Sequence, residues 1–176
     1  MIPGDFSKAH HIDRMIRVDH AGEYGAQRIY AGQLAVLRRD ATAPEIARMA
    51  AQEQAHLARF NQLMTERRAR PSALLPFWHV AGYALGAGTA LLGPKAAMAC
   101  TVAVESVIAE HYQQQLETMP EGEIELRDTV AQFREEEIEH HDIGLDHDAE
   151  NAPAYELLSG VIKRGCRAAI WLAERV

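Results

Sequence analysis

Two Glu-x-x-His pairs, Glu53–His56 and Glu137–His140, are the first residues in this chain whose types and spacing suggest chemistry. Residues three apart in an α-helix lie on one side of it, so the carboxylate and the imidazole of each pair can bind the same metal ion. Random placement of the 17 Glu and nine His would give about one such pair. The count is therefore weak evidence, and the helical face on which each pair lies decides its interpretation.

Both pairs fall on apolar faces of their predicted helices. The neighbours on the face of the first pair are Ile46, Met49, Ala50, Leu57, Phe60 and Met64. The second pair lies in line with Val130, Phe133 and Leu145. Since an apolar stripe faces the core of a bundle, we expect all four side chains to point inward.

Two more carboxylates, Glu23 and Glu105, also lie on apolar faces. Glu23 is in line with Ile16, Ala26, Tyr30 and Leu37, and Glu105 with Met98, Thr101, Val102, Ile108, Ala109, Tyr112 and Leu116. A buried carboxylate costs several kcal/mol unless a metal or fixed charge offsets it, so four in one core indicate bound cations. Solvent exposure is instead expected for the Glu residues at 117, 123, 125 and 139.

The spacing repeats, with 30 residues from Glu23 to Glu53 and 32 from Glu105 to Glu137. Two helical hairpins that each supply one Glu and one Glu-x-x-His form the pattern of ferritin-like di-iron and di-manganese bundles. Oxygen-rich donors without thiolate favour iron or manganese. Four carboxylates also balance the charge of two ferrous ions, so we predict two Fe ions, with Mn as a substitute.

The elements that must position these residues are helices. The Ala-rich composition with few aromatics favours close helix packing through small residues. We predict an all-α, ferritin-like four-helix bundle with an additional C-terminal helix, forming one domain over 1–176. Its hairpins would span about 7–70 and 76–148, with a closing helix at about 153–176. Thr42 and Glu45 predict a capping box, and Gly93-Pro94 a break or kink in the third segment.

Composition excludes some partners and suggests others. The net charge of −7 opposes nucleic-acid binding. Cys100 and Cys166 match no metal or redox spacing, so a reducing compartment is expected. Residues 71–94 carry no Asp, Glu, Lys or Arg, yet prolines and glycines interrupt them. They predict peripheral membrane contact, helped by the cluster Arg67, Arg68 and Arg70, with burial in the bundle as the alternative.

Four segments carry a resemblance to a known family: RVDHAGEYGAQRIYAGQLAVL (17–37), EQAHL (53–57), CTVAVESVIAEHY (100–112) and EEEIEHHDIGLDHDAENAPAYELL (135–158). They resemble the demethoxyubiquinone hydroxylase family of ubiquinone biosynthesis over nearly the whole chain. All six positions of that family's metal ligands match, namely Glu23, Glu53, His56, Glu105, Glu137 and His140. By the family's pattern, Glu53 and Glu137 would bridge the two irons.

The resemblance implies a monooxygenase that uses O2 to hydroxylate the ring of a polyprenylated demethoxyubiquinone or its quinol. It also implies peripheral attachment to the cytoplasmic side of the bacterial inner membrane, with a homo-oligomer or a partner protein of quinone biosynthesis as further expectations. The sequence contains no Gly-x-Gly-x-x-Gly nucleotide fingerprint, so the electron donor is predicted to be external: a transiently bound molecule, a partner protein or the quinol itself.

Residues near the ligands suggest supporting roles. His111 and Tyr112 follow Glu105 closely and would relay electrons and protons, with simple packing as the alternative. Asp142, His147 and the remaining carboxylates near His140 would orient the imidazole of His140 through its free N–H, with surface solvation as the alternative.

Two other functional classes use parts of the same pattern. A ferritin-like iron-binding or ferroxidase protein without an organic substrate would need the same six ligands, but the apolar 71–104 region opposes a soluble storage shell. A metal-dependent phosphohydrolase is suggested only by His141-Asp142, and leaves the inward Glu23, Glu53 and Glu105 unexplained. A metalloprotease is disfavoured because His-Glu-x-x-His is absent.

Overall fold

A computed structural model describes residues 5–176, with side chains from residue 10 onward. The helices are α1 (Asp5–Leu37), α2 (Ala43–Arg67), α3 (Leu75–Leu91), α4 (Pro94–Thr118), α5 (Ile124–Asp146) and α6 (Tyr155–Ala173). A short 3-10 helix, Ala149–Asn151, precedes α6. These residues form no strand, so the predicted all-α class is confirmed.

The chain folds as two helical hairpins, α1–α2 and α4–α5, with α3 packed mainly on α1 and α6 mainly on α4. Apolar side chains of the described residues fill the interior in four clusters, and the two largest lie above and below the predicted ligands. One contains Tyr30, Ile46, Met49, Ala97 and Met98. The other contains Ile16, Phe60, Leu63, Tyr112, Leu126 and Val130. On each of the four long helices, the predicted Glu ligand lies between residues of the two clusters.

The predicted third segment is two helices rather than one. Gly93 adopts a φ of 111°, a backbone conformation that favours glycine, and Pro94 begins α4 directly after it. The chain can therefore reverse between α3 and α4 without a longer loop.

The predicted capping box at the start of α2 is wrong. Thr42 occupies the N-cap position, but its hydroxyl and its backbone N–H both donate to Asp40 Oδ1 at 2.9 Å. Glu45 instead accepts a hydrogen bond from Arg48. The short turn at Asp40 offers a nearer acceptor and so replaces the reciprocal cap.

Small residues allow α1 and α3 to approach closely, as the composition predicted. A Cβ atom added at Gly86 would lie 1.9 Å from the carbonyl oxygen of Ile29, and one added at Gly32 would lie 2.3 Å from that of Tyr83. Only glycine fits at these two positions, because the backbones themselves are in contact.

The outer surfaces of α3 and α6 carry exposed apolar side chains. They are Phe77, Val80, Tyr83 and Leu91 on α3, and Leu157, Val161, Trp171 and Leu172 on α6. The opposite side of α3 is buried through Gly82, Gly86, Thr89 and Ala90. Within residues 5–176, no helix has both the length and the apolar character needed to cross a bilayer. Cys100 and Cys166 are free thiols.

Candidate metal centre

Four carboxylates meet at the middle level of the bundle, one each from α1, α2, α4 and α5. Glu23, Glu53 and Glu137 are 0% exposed, and Glu105 is 1% exposed. The predicted outward residues behave differently: Glu117, Glu125 and Glu139 are exposed, and Glu123 is partly buried in an ion pair with Arg67.

The six predicted ligands form two overlapping groups. The His56 group contains Glu23, Glu53, His56 and Glu137, and the His140 group contains Glu53, Glu105, Glu137 and His140. Within each group, one candidate ligand atom per residue lies within 4.8 Å of every other, so each group has the dimensions of a metal site. Glu53 and Glu137 belong to both, as expected of two bridging carboxylates.

Both imidazoles direct Nδ1 at the carboxylates. His56 Nδ1 lies 3.3 Å from Glu23 Oε2 and 3.2 Å from Glu137 Oε1. His140 Nδ1 lies 3.1 Å from Glu53 Oε1. Their Nε2 atoms face away from the centre, where other side chains bind them.

The inward polar atoms of these groups have no hydrogen-bond partner. They are Glu23 Oε2, both oxygens of Glu53 and of Glu137, Glu105 Oε2, and Nδ1 of His56 and His140. Buried polar atoms are ordinarily paired, so unpaired oxygens and nitrogens facing one point are typical of a cation-binding site. Six oxygens and two imidazole nitrogens fit two iron or manganese ions, and thiolates are absent from both groups.

Burial and mutual repulsion shift the pKa values of the metal-free groups. Burial and the neighbouring Glu137 raise the pKa of both Glu53 and Glu105 well above the usual range. Burial opposes a charge on His56 and Glu137, but the attraction between these two groups, together with that of Glu23 for His56 and of His140 for Glu137, outweighs it. The pKa of His56 is thereby raised to about 11 and that of Glu137 is lowered. The metal-free centre therefore retains protons that cations would displace.

Two buried tyrosines hold the carboxylates of Glu23 and Glu105 in a matching pattern. Tyr30 on α1 donates to Glu105 Oε1 on α4 at 2.7 Å. Tyr112 on α4 donates to Glu23 Oε1 on α1. Each tyrosine lies seven residues after a ligand Glu on its own helix and bonds the Glu of the other. The repeated Glu-x6-Tyr spacing is the signal that could have identified Tyr30, which the sequence alone placed among apolar positions.

The outer nitrogens of the imidazoles bind residues that the sequence did not indicate. His56 Nε2 lies 2.5 Å from Glu136 Oε2, and His140 Nε2 lies 3.0 Å from Gln52 Oε1. Burial opposes the charge on Glu136, yet the bond from His56 holds its pKa below the usual value.

The predicted roles of Asp142 and His147 in orienting His140 are wrong. Asp142 is exposed and pairs with His141 Nδ1 at 2.9 Å. The ring of His147 bonds the backbone carbonyl of Ile143. The outer nitrogen of His140 binds Gln52 instead, and His147 lies two helical turns beyond His140 along the chain, so neither Asp142 nor His147 orients this imidazole.

The two residues proposed as a relay occupy different places. Tyr112 contacts the candidate centre through its hydrogen bond to Glu23. His111 is half-buried and binds residues outside the six predicted ligands. His111 Nε2 accepts from Gln115 at 2.9 Å and lies 3.6 Å from Asp19 Oδ1. Asp19 is a buried carboxylate that the sequence did not single out, and burial raises its pKa.

An apolar groove of about 350 Å³ runs between α1, α3, α4 and α6. Val104 and Ile108 line it on either side of Glu105 in the sequence of α4, and Gly22 lines it next to Glu23 on α1. The groove wall also includes Val161 and Cys166 of α6. An apolar cavity therefore borders the two helices that carry Glu23 and Glu105.

The chain is a helical bundle with two overlapping Glu/His groups in its core. These features define a class of carboxylate-rich proteins that are suited to a dinuclear metal centre. Comparison with known proteins specifies the family. Residues 10–173 match the family described as "Ubiquinone biosynthesis protein COQ7". The chain belongs to this family, which confirms the resemblance seen in the sequence.

Named relatives extend across distant organisms. The chain is 60% identical over 169 residues to the Homo sapiens "NADPH-dependent 3-demethoxyubiquinone 3-hydroxylase, mitochondrial", covering 94% of this chain and 78% of that protein. It is 57% identical over 176 residues to the "3-demethoxyubiquinol 3-hydroxylase" of Rhodospirillum rubrum, covering 99% and 83%. The Saccharomyces cerevisiae "5-demethoxyubiquinone hydroxylase, mitochondrial" is 45% identical, covering 97% and 80%. The relatives thus include mitochondrial and bacterial proteins.

Proposed function

We propose that this chain is a di-iron monooxygenase that hydroxylates the ring of a polyprenylated demethoxyubiquinone or its quinol, using O2, in ubiquinone biosynthesis. The observation that carries the proposal is the pair of overlapping, buried Glu/His groups that share Glu53 and Glu137. The hydroxylase names of the relatives agree with the activity.

The six ligands would each have a distinct task. Glu53 and Glu137 would bridge the two ions, Glu23 and His56 would complete one site, and Glu105 and His140 the other. Two bound ferrous ions would supply electrons for the activation of dioxygen. The tyrosine hydroxyls described above hold a proton beside each terminal carboxylate, which fixes one oxygen of each Glu and leaves its second oxygen directed at the centre.

The apolar groove would hold the substrate. Its lining of small and aliphatic side chains suits an isoprenoid tail and excludes water from the ring. Val104 and Ile108 at its wall would place the ring next to Glu105. Hydrophobic burial of the tail would supply most of the binding energy, because the groove offers few polar groups.

The exposed apolar side chains of α3 and α6 would rest on the membrane that holds such a substrate. We place the protein as a peripheral protein on the cytoplasmic side of a bacterial inner membrane. Two electrons must come from outside the chain, and the human relative is named as NADPH-dependent. We propose that a reduced nicotinamide is the electron donor of this chain as well.

Anaerobic ferrous-iron binding followed by exposure to oxygen tests the proposal. The parent and Glu117→Ala, an exposed change on α4, should bind two irons, and Glu105→Ala should bind fewer. Adding oxygen, a reductant and a demethoxyquinol analogue should give the parent a hydroxylated ring. Two irons that oxidise without a ring product would favour an iron-binding ferroxidase, and absence of stoichiometric metal would exclude both functions.

A further inference from the structure

Each imidazole of the candidate centre is held by a residue of the opposite hairpin. Gln52 directly precedes Glu53 on α2 and reaches the imidazole on α5, at 3.0 Å. Glu136 directly precedes Glu137 on α5 and reaches the imidazole on α2, at 2.5 Å. The two halves of the centre are therefore braced in the same way, but by chemically different side chains.

The two acceptors differ in strength. Glu136 offers a carboxylate, whose second oxygen accepts from Gln132 Nε2 at 2.8 Å, so the group is held in place. Gln52 offers a neutral amide oxygen, which Arg48 Nη1 also approaches at 3.3 Å. A carboxylate acceptor makes a hydrogen bond about twice as strong as a neutral one. The competing guanidinium further reduces what the Gln52 oxygen can offer to the imidazole.

An imidazole whose outer N–H is held by a stronger acceptor donates more electron density through its other nitrogen. The inner nitrogen of both rings is Nδ1, which faces the carboxylates and has no partner. Each group contains three carboxylates and one imidazole, so the side chains that would bind the two ions are equal in number and charge. In the hydrogen bonds of the two outer nitrogens, the difference between Glu136 and Gln52 separates the two halves.

We propose that Glu136 and Gln52 are positioning residues that make the two metal sites unequal, so that the His56 group binds its ion more tightly. This inference rests on the two-metal centre of the proposed function. It concerns which site binds its ion first, which the ligand set alone does not determine.

Stepwise cobalt(II) binding to the metal-free protein, followed by visible absorption and calorimetry, measures the inequality directly. The parent should bind two ions in two separate steps. Loss of a hydrogen-bonding partner of a metal ligand typically lowers metal affinity by about 10- to 100-fold. Glu136→Gln should weaken the first step by about that factor, and Gln52→Glu should strengthen the second, so either change narrows the gap between the steps.

Exchange of the two side chains provides the sharpest variant. Gln52→Glu combined with Glu136→Gln should restore two steps with the order of the sites reversed. The paramagnetically shifted ring N–H resonance at one equivalent of cobalt should then belong to His140 instead of His56. Glu135→Gln is the matched control, because it removes one charge from an exposed position beside Glu136 and should leave the isotherm unchanged.

Several outcomes would overturn the inference. Isotherms of Glu136→Gln and Gln52→Glu that match the control, equal weakening of both steps, or an unchanged order in the exchanged variant would each do so. If the parent binds two ions and only these variants behave unexpectedly, the proposed function stands without the inference. If the parent binds no stoichiometric metal, both fail.

Discussion

At the scale of single residues, the candidate centre contains buried polar atoms that have no hydrogen-bond partner. Glu23 and Glu105 are almost completely buried, and each has one oxygen bonded to a tyrosine hydroxyl and one without a partner. The tyrosines Tyr30 and Tyr112 thus satisfy half of each carboxylate. Removing a hydroxyl leaves an acceptor buried and unpaired.

We therefore expect Tyr112→Phe to destabilise the metal-free protein. Loss of one partner of a buried hydrogen bond costs about 1–3 kcal/mol, because the remaining group stays desolvated. The free energy of unfolding, measured with denaturant, should fall by that amount. Tyr83→Phe, at an exposed tyrosine of α3, should change it little. Equal stability of the two variants would mean that Glu23 does not depend on the hydroxyl.

Sequence reasoning found the six residues that converge because each lies on an apolar helical face where an ionisable side chain is anomalous. It missed Gln52 and Glu136, since both lie beside that face and are half-buried. Their function depends on the imidazole of a facing helix, and the periodicity of one helix contains no information about its neighbour.

At the scale of helices, the contact between α1 and α3 sets the shape of the groove. Gly86 lies against the backbone of Ile29, whereas Gly88, two residues later, faces open space. The two glycines lie on the same helix but differ in surroundings. Replacing each of them by alanine therefore distinguishes the effect of packing from the effect of helix propensity.

Gly86→Ala should destabilise the protein, and Gly88→Ala should not. The Cβ of the first would overlap the Ile29 carbonyl at 1.9 Å and force the backbones apart. Overpacking costs about 1–3 kcal/mol, and a backbone neighbour cannot rotate away, so the upper end applies. The Gly88 change should stabilise by about 0.5–1 kcal/mol through helix propensity. Thermal unfolding of both variants checks this, and similar melting temperatures would contradict the close contact.

Filling the groove tests the place of the substrate. Gly165 lines the groove on α6 and has open space around it, so Gly165→Leu can extend into the cavity. We expect a raised KM for a prenylated substrate with unchanged metal content. Gly160→Leu, on the same helix outside the groove, is the control. Unchanged kinetics in the Gly165 variant would place the substrate elsewhere.

The sequence predicted the helices better than their boundaries. The apolar third segment was predicted to break or kink at Gly93-Pro94, and it breaks there into α3 and α4, since both residues act on the local backbone. The capping box failed because the competing acceptor, Asp40, belongs to the preceding turn. The packing of α3 on α1 was not predicted, because close contact between glycines depends on how the helices are arranged.

At the scale of the whole molecule, the exposed apolar side chains of α3 and α6 lie on a protein with a net charge of −7. Phe77 and Val80 are 58% and 66% exposed at the start of α3. Full burial of one such side chain is favourable by about 1.5–3 kcal/mol of free energy. Contact with a bilayer would bury them without moving the bundle.

We expect Phe77→Asp with Val80→Asp to reduce binding to phospholipid vesicles by at least about tenfold, as judged from that burial energy. Ile124→Asp changes an equally exposed apolar residue at the start of α5 and should bind as the parent does. Co-sedimentation with vesicles measures the difference. Equal loss in both would indicate nonspecific hydrophobic adhesion.

The metal-free molecule should also lose stability as pH rises from about 5 to 9. The folded pKa values of Glu53, Glu105 and His56 are all raised, that of His56 to about 11. The folded state therefore keeps protons that the unfolded chain releases above about pH 4.3 for Glu and 6.5 for His. The stability due to these protons is complete below those values and is lost as pH rises, by up to about 1.4 kcal/mol per proton and pH unit. The pKa of Glu137 is lowered in the folded state, so the stability that this carboxylate contributes is complete above its unfolded pKa. That stability is lost only at acid pH.

Metal should remove this pH dependence, because ligands bind cations in their deprotonated forms and release the retained protons. Denaturant unfolding at pH 5.5, 7 and 8.5 should therefore give a falling profile without metal and a flatter, higher one with two ions bound. Glu105→Gln should make the metal-free profile less steep, because it deletes one of the raised groups. Glu117→Gln, at an exposed site, should leave it unchanged. A flat profile for the metal-free parent would mean that Glu53, Glu105 and His56 do not retain protons, and the electrostatic argument for a metal centre would lose its basis.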